Sequence, residues 1–236
     1  MTVYAAASLT EAFTEIGRQF ESSNPGTGVV FNFAGSQQLV QQIAQGAPAD
    51  VFASADRKQM EAAIESGRVD SNHVQAFLTN QLVVITPKDN PADVQTLADL
   101  ARPGLKLLLA AEAVPVGRYS LEFLDKASQD PKLGVAFKEA VLKNVISYEE
   151  NVRAVLSKVQ LGEADAGMVY SSDVASTGAD EIGVLEIPDA LNVVATYFIA
   201  PLSDSPAPDL ADSFVDYVSS PAGGQILSRY GFLPVK

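Results

Sequence analysis

Short apolar runs alternate with amphipathic stretches along almost the whole chain, and that alternation restricts it to an α/β architecture built on parallel strands. Val3 and Tyr4 open a strand that passes through Ala5-Ala6-Ala7, after which Leu9, Phe13, Ile16 and Phe20 fall at helical spacing until Asn24-Pro25-Gly26 stops the helix. A strand over residues 28–33 ends at Ala34-Gly35-Ser36 and gives way to a helix carrying Leu39, Val40 and Ile43 as far as Gly46. Further strands are expected at 49–53, 81–86, 105–110, 145–146, 166–170, 183–187 and 193–199. Between them the spacing predicts a helix capped by Asp56, a short one at 97–101, one after Val114-Pro115-Val116-Gly117, and one from about Lys132 to Lys143. Val152, Val155, Leu156 and Val159 share one face of another, closed by Gly162, and two helices separated by Ser219-Ser220-Pro221 end the chain.

At 236 residues the chain suffices for one large α/β domain or two smaller ones. It has no low-complexity linker and no clear repeat, so a two-domain division must come from the chain crossing between sheets within strands. Charged residues make up 19% and hydrophobic ones 47%, which excludes a disordered chain, and no stretch approaches the roughly 20 apolar residues of a membrane span. The net charge of −13, with no basic run, argues against nucleic acid and anionic membrane surfaces as partners. It does not exclude a small anion, because charges beyond about 8 Å are screened at physiological ionic strength and local donors decide affinity.

Ser8 follows a strand and a small-residue turn, where a helix start offers unpaired N–H groups and the positive end of its dipole. Ser8 with Glu11, and Ser147 with Glu150, also match the S-x-x-E capping box. Capping is the expected role of Ser147, whereas Ser8 reads equally as a cap or an anion ligand. Ser36 follows Gly35, where backbone approaches a ligand closely, although a βα loop ending in serine is also ordinary turn chemistry.

Enzymatic devices are scarce. There is no cysteine, and the single histidine, His73, lies in the polar stretch Asp70-Ser71-Asn72-His73 without a G-x-S-x-G elbow anywhere. Neither a G-x-x-x-x-G-K-[ST] loop nor a G-x-G-x-x-G turn after a strand is present. Asp50, Asp56 and Asp165 read as caps and turns at least as well as carboxylate metal ligands. The chain begins on a strand pattern rather than a basic and apolar leader, so the expectation for an exported protein is that this is its mature part.

The runs AAASLTEAF, FAGSQQLVQQIAQGAPADVFASAD, VPVGRYS, ENVRAVLSKVQLGEADAGMVYSSD and SPAGGQILSRYGFLPV resemble the periplasmic molybdate-binding proteins of ABC transporters, from Val3 to the end of the chain. The resemblance implies a type II periplasmic binding-protein fold, two α/β lobes joined by crossing strands with a ligand cleft between them. Lobe one would be residues 1–80 plus 197–236 and lobe two residues 81–196. It implies an oxyanion held by neutral donors: Ser8 and Ser36 through hydroxyls and nearby amides, Val116 and Val152 through backbone amides, and Tyr170 through its phenol. Val116 stands where the family commonly has alanine, and Tyr119 is an alternative phenol donor. The implied ligand is molybdate or tungstate, with molybdenum present only as that oxyanion, no cofactor and no catalysis. The implied setting is extracytoplasmic, as a monomer delivering to a membrane permease. A receptor for another tetrahedral oxyanion such as sulfate, or an effector-sensing domain, is the alternative. A donor-only site would reject protonated phosphate, whose own O–H would find no acceptor.

Overall fold

The computed structural model describes residues 1–177 and 181–235. In chain order its elements are β1 (Thr2–Ala6), a 3₁₀ turn (Ala7–Leu9), α1 (Thr10–Ser23), β2 (Val30–Ala34), α2 (Ser36–Ala44), β3 (Val51–Ser54), α3 (Arg57–Glu65) and β4 (Gln75–Pro87). They continue as β5 (Leu107–Ala110), α4 (Pro115–Ala127), α5 (Phe137–Lys143), β6 (Val145–Glu149), α6 (Val152–Gln160), β7 (Ala166–Tyr170) and α7 (Ser171–Thr177). The last are β8 (Ile182–Glu186), β9 (Val194–Pro201), α8 (Pro208–Ser219) and α9 (Pro221–Arg229). The fold is α/β. Two compact units divide the chain, Met1–Asn80 with the stretch from Thr196 onward, and Gln81–Ala195, so the chain passes from one to the other inside β4 and returns inside β9.

In the first unit β1 lies between β2 and β3, parallel to both, and β9 runs antiparallel to β3. One apolar cluster joins Leu39, Val40 and Ile43 of α2 and Met60 and Ala63 of α3 to Tyr4, Phe52 and Phe198 of the strands. A second is aromatic: Phe13 and Phe20 of α1 meet Phe214 of α8 edge-on, with ring centroids 6.2 and 5.2 Å away, the geometry favoured by ring quadrupoles. Gly17 admits the Phe31 ring to the face of α1, since a Cβ there would stand 2.6 Å from a ring carbon. In the second unit β5 lies between β6 and β7, parallel to both, while β4 pairs antiparallel with β7 and β8.

Local chemistry explains most boundaries. Asp56 accepts a hydrogen bond from the Gln59 amide at 2.9 Å and caps α3, as its position predicts. Gly162 follows α6 at φ +73, the left-handed C-terminal position expected of it. The helix expected from Lys132 begins only at Phe137. Asp130 draws the Lys132 amide to its carboxylate at 2.7 Å, and Gly134 sits at φ +82, so a turn replaces the first helical turn. The helix at 97–101 is 3₁₀. β4 is longer than its apolar run: Thr79, Asn80 and Gln81 interrupt the hydrophobic pattern where the strand passes between units. α7 has no apolar period and is not anticipated by the spacing.

Candidate oxyanion-binding half-sites

Each unit gathers several of the expected ligand residues at the carboxyl ends of parallel strands, where α/β sheets hold their ligands. In the first unit Ala6 of β1 pairs with Ala34 of β2, so Ser8 and Ser36, each two residues further on, occupy equivalent places beyond neighbouring strands. Both side chains are buried. Ser36 is the first residue of α2, and its Oγ accepts the Ala55 amide at 3.1 Å. Ala55 itself follows β3, the third strand ending at this edge.

Ser8 does not cap α1. It lies within the 3₁₀ turn, the residue preceding α1 is Leu9, and no side chain caps that helix. Its Oγ instead meets the Tyr197 phenol oxygen at 2.8 Å, and Tyr197 Oη accepts from Asn80 Nδ2 at 3.5 Å. The capping box expected of Ser147 is also absent: Ser147 lies inside β6, and Asn151 caps α6 by accepting the Ala154 amide at 3.0 Å. A strand that runs on to Glu149 leaves Ser147 too early to cap anything.

In the second unit Ala110 of β5 pairs with Glu149 of β6, and Leu108 with Gly167 of β7, so the three strands end together. Val116, Val152 and Tyr170 follow these ends: Val116 is the second residue of α4 behind Pro115, Val152 the first of α6, and Tyr170 the last of β7. All three are buried. Val116 and Val152 therefore stand in first helical turns, whose amides have no carbonyl four residues back within the helix.

Two cations lie near these positions, and each has a carboxylate partner. Arg118 pairs with Glu122 and covers the ring of Tyr119 at 4.3 Å, which gives that tyrosine a packing role on α4. Arg153 Nε faces Asp173 Oδ1 at 3.5 Å, while Asp173 Oδ2 accepts the Tyr170 amide at 3.0 Å. Asp173 thus fastens the start of α6 to the end of β7. Asp173→Ala should destabilise the protein by about 3 kcal/mol, the low end for breaking a buried pair because Arg153 is 23% exposed and keeps some water. Urea unfolding would check this, and a loss below about 1 kcal/mol would contradict it.

Three further carboxylates, Asp50, Asp165 and Glu149, have structural work. Asp50 Oδ2 accepts the Thr2 amide at 2.6 Å and Asp165 Oδ2 the Lys106 amide at 2.7 Å. Glu149 holds Lys158 at 2.8 Å, and that hydrogen bond raises the lysine above its ordinary range. His73 is exposed on a short turn. Among the described residues no group of three or more His, Asp or Glu side chains is placed to hold a metal ion, and no helix is long and apolar enough to cross a membrane.

The turns that carry Ser8 and Ser36 pointed to those two residues and the family resemblance to Val116, Val152 and Tyr170, but neither pointed to Tyr197, Asn80 or Asp173. Asn80 and Tyr197 are 117 residues apart, beyond any local pattern. Asp173 did leave a signal, a carboxylate three residues after a strand-ending tyrosine, the spacing at which a side chain in the first turn of a helix takes the amide of the residue preceding it.

The sequence family described as bacterial extracellular solute-binding protein matches residues 1–233. The chain belongs to this family. A solute-binding protein family is not an enzyme class. Among its relatives, the molybdate-binding protein ModA of Mycobacterium tuberculosis H37Rv is 41% identical over 232 residues, 98% of this chain and 84% of the relative. Two solved structures share the fold. The Azotobacter vinelandii periplasmic molybdate-binding protein has TM-score 0.85 at 20% identity, covering 100% of both chains. The Mycobacterium tuberculosis sulfate-binding protein SubI has TM-score 0.89 at 16% identity, covering 100% of this chain and 87% of its own.

Proposed function

We propose that this solute-binding protein is an extracytoplasmic receptor for molybdate that also accepts tungstate, and that it delivers the anion as a monomer to the permease of an ABC transporter. It needs no cofactor, and molybdenum enters only as its oxyanion. The observation that carries the reading is the matched placement of Ser8 and Ser36, two buried hydroxyls at equivalent positions beyond adjacent parallel strands. The 41% identical relative, itself named a molybdate-binding protein, supports the choice of anion.

In this reading Ser8 and Ser36 donate from the first unit, and the amides of Val116 and Val152 with the Tyr170 phenol donate from the second. Engaging both sets would favour one arrangement of the units, so the ligand would select it. Hydrogen bonds to a charged acceptor contribute about 1.5–3 kcal/mol each, so a handful suffices for the roughly −8 to −12 kcal/mol of micromolar to nanomolar binding. The half-buried cations Arg118 and Arg153 have carboxylate partners, which favours neutral donors to meet the anion.

Calorimetric titration of dialysed protein with molybdate, tungstate, sulfate and phosphate tests the proposal. One-to-one binding of molybdate and tungstate, at least about 100-fold tighter than sulfate or phosphate, is expected because that ratio needs only about 2.7 kcal/mol. Binding of sulfate alone would replace molybdate as the ligand. Silence toward all four would end the oxyanion reading.

A further inference from the structure

Tyr197 and Asn80 form a buried hydrogen-bond relay behind Ser8. All three side chains belong to the first unit, and Asn80 and Tyr197 are wholly buried. Asn80 Nδ2 carries only hydrogens to give, so its contact with Tyr197 Oη at 3.5 Å makes the phenol oxygen an acceptor. The phenol has one proton of its own, and the Ser8 Oγ lies 2.8 Å away. Spending that proton on Ser8 leaves the serine proton available in another direction. The opposite order, with Ser8 donating to Tyr197, would consume the serine proton and turn only lone pairs outward.

We propose that Asn80 and Tyr197 are positioning residues that fix Ser8 as a hydrogen-bond donor, and thereby set selectivity for a fully deprotonated oxyanion over one that carries a proton. The proposal rests on the assignment of Ser8 to the oxyanion site. Ser36 has the matching arrangement by a different means: the Ala55 amide can only donate, so Ser36 accepts from it and keeps its own proton to give. Two serines on adjacent strands thus reach the same polarity, one through a backbone amide and one through a side-chain relay. A donor-only surface repels the O–H of a protonated anion, because that group is left unpaired.

Two measurements separate this relay from a packing role. Neutron diffraction from deuterium-exchanged crystals of ligand-free protein should place the Tyr197 deuteron on the line to Ser8 Oγ. A deuteron on Ser8 directed at Tyr197 Oη overturns the proposal, whatever anion the protein binds. Titrations with molybdate, and with hydrogen arsenate as a tetrahedral anion that carries a proton near neutral pH, give the second readout. In Tyr197→Phe the ratio of the two affinities should narrow by about fivefold, the worth of one hydrogen bond of ordinary strength. Asn80→Leu, which keeps the phenol and removes its donor, should narrow it in the same direction. Equal weakening toward both anions in both variants is the signature of lost packing alone and overturns the relay. A parent protein that binds neither anion, yet shows the expected deuteron, would remove the oxyanion assignment and leave the hydrogen-bond direction standing.

Discussion

Gly117→Ala is expected to cost about 3 kcal/mol or more and to weaken oxyanion binding together with stability. A Cβ at this position would stand 2.1 Å from the Ala111 carbonyl oxygen and 2.4 Å from that of Ala110. Both obstacles are backbone at the end of β5, so no side-chain rotation relieves them, and the start of α4 must move away from the strand. The adjacent Val116 amide, proposed as a ligand donor, moves with it. A loss of about 3 kcal/mol corresponds to a fall of roughly 10 °C in Tm for units of about this size. Gly224→Ala supplies the control: a Cβ there meets nothing within 4 Å, and replacing a mid-helix glycine by alanine should gain about 0.5–1 kcal/mol. Thermal unfolding followed by circular dichroism compares the two. A Gly117→Ala protein as stable as its parent would mean that α4 and β5 are not held this closely in solution.

This close approach was legible only in part. The spacing places a helix after Val114-Pro115-Val116-Gly117, whereas α4 begins inside that run at Pro115, whose missing N–H and fixed φ suit a first helical position. The need for glycine comes from a carbonyl six residues back, whose position depends on how the β5–α4 turn closes. Elements whose cause is local were similarly readable: the apolar face of α1, the Asp56 cap, the Gly162 stop and the strand over Ala166–Tyr170. Where two local signals competed, spacing misled. The apolar residues before Lys143 suggested a long helix, but Asp130 and Gly134 turn the chain first. Serine followed by glutamate three residues later suggested caps at Ser8 and Ser147, and neither forms. For Ser8 the competing partner is Tyr197, on a strand that enters the first unit 189 residues later, and burial of both side chains favours their mutual hydrogen bond.

That competition sharpens what the two serines should contribute. If Ser8 and Ser36 were only turn residues, removing both hydroxyls would leave anion affinity unchanged and alter stability alone. In the proposed site each hydroxyl donates to a charged oxygen at about 1.5–3 kcal/mol, so Ser8→Ala with Ser36→Ala should weaken molybdate binding by about 10²- to 10⁴-fold. The same variant strands the Ala55 amide and removes a partner of Tyr197, which should cost about 1–3 kcal/mol of stability for each group left unsatisfied. Titrations therefore belong well below the Tm of the variant, with its folded fraction confirmed by circular dichroism. Ser147→Ala separates site from turn chemistry: Ser147 caps no helix, and its loss should leave stability within about 0.5 kcal/mol and molybdate affinity unchanged. A double variant that bound molybdate like the parent would remove both serines from the site. Its stability loss would then be the whole effect of the two hydroxyls, and the paired turns beyond β1 and β2 would be structural devices holding Ala55 and Tyr197 in place.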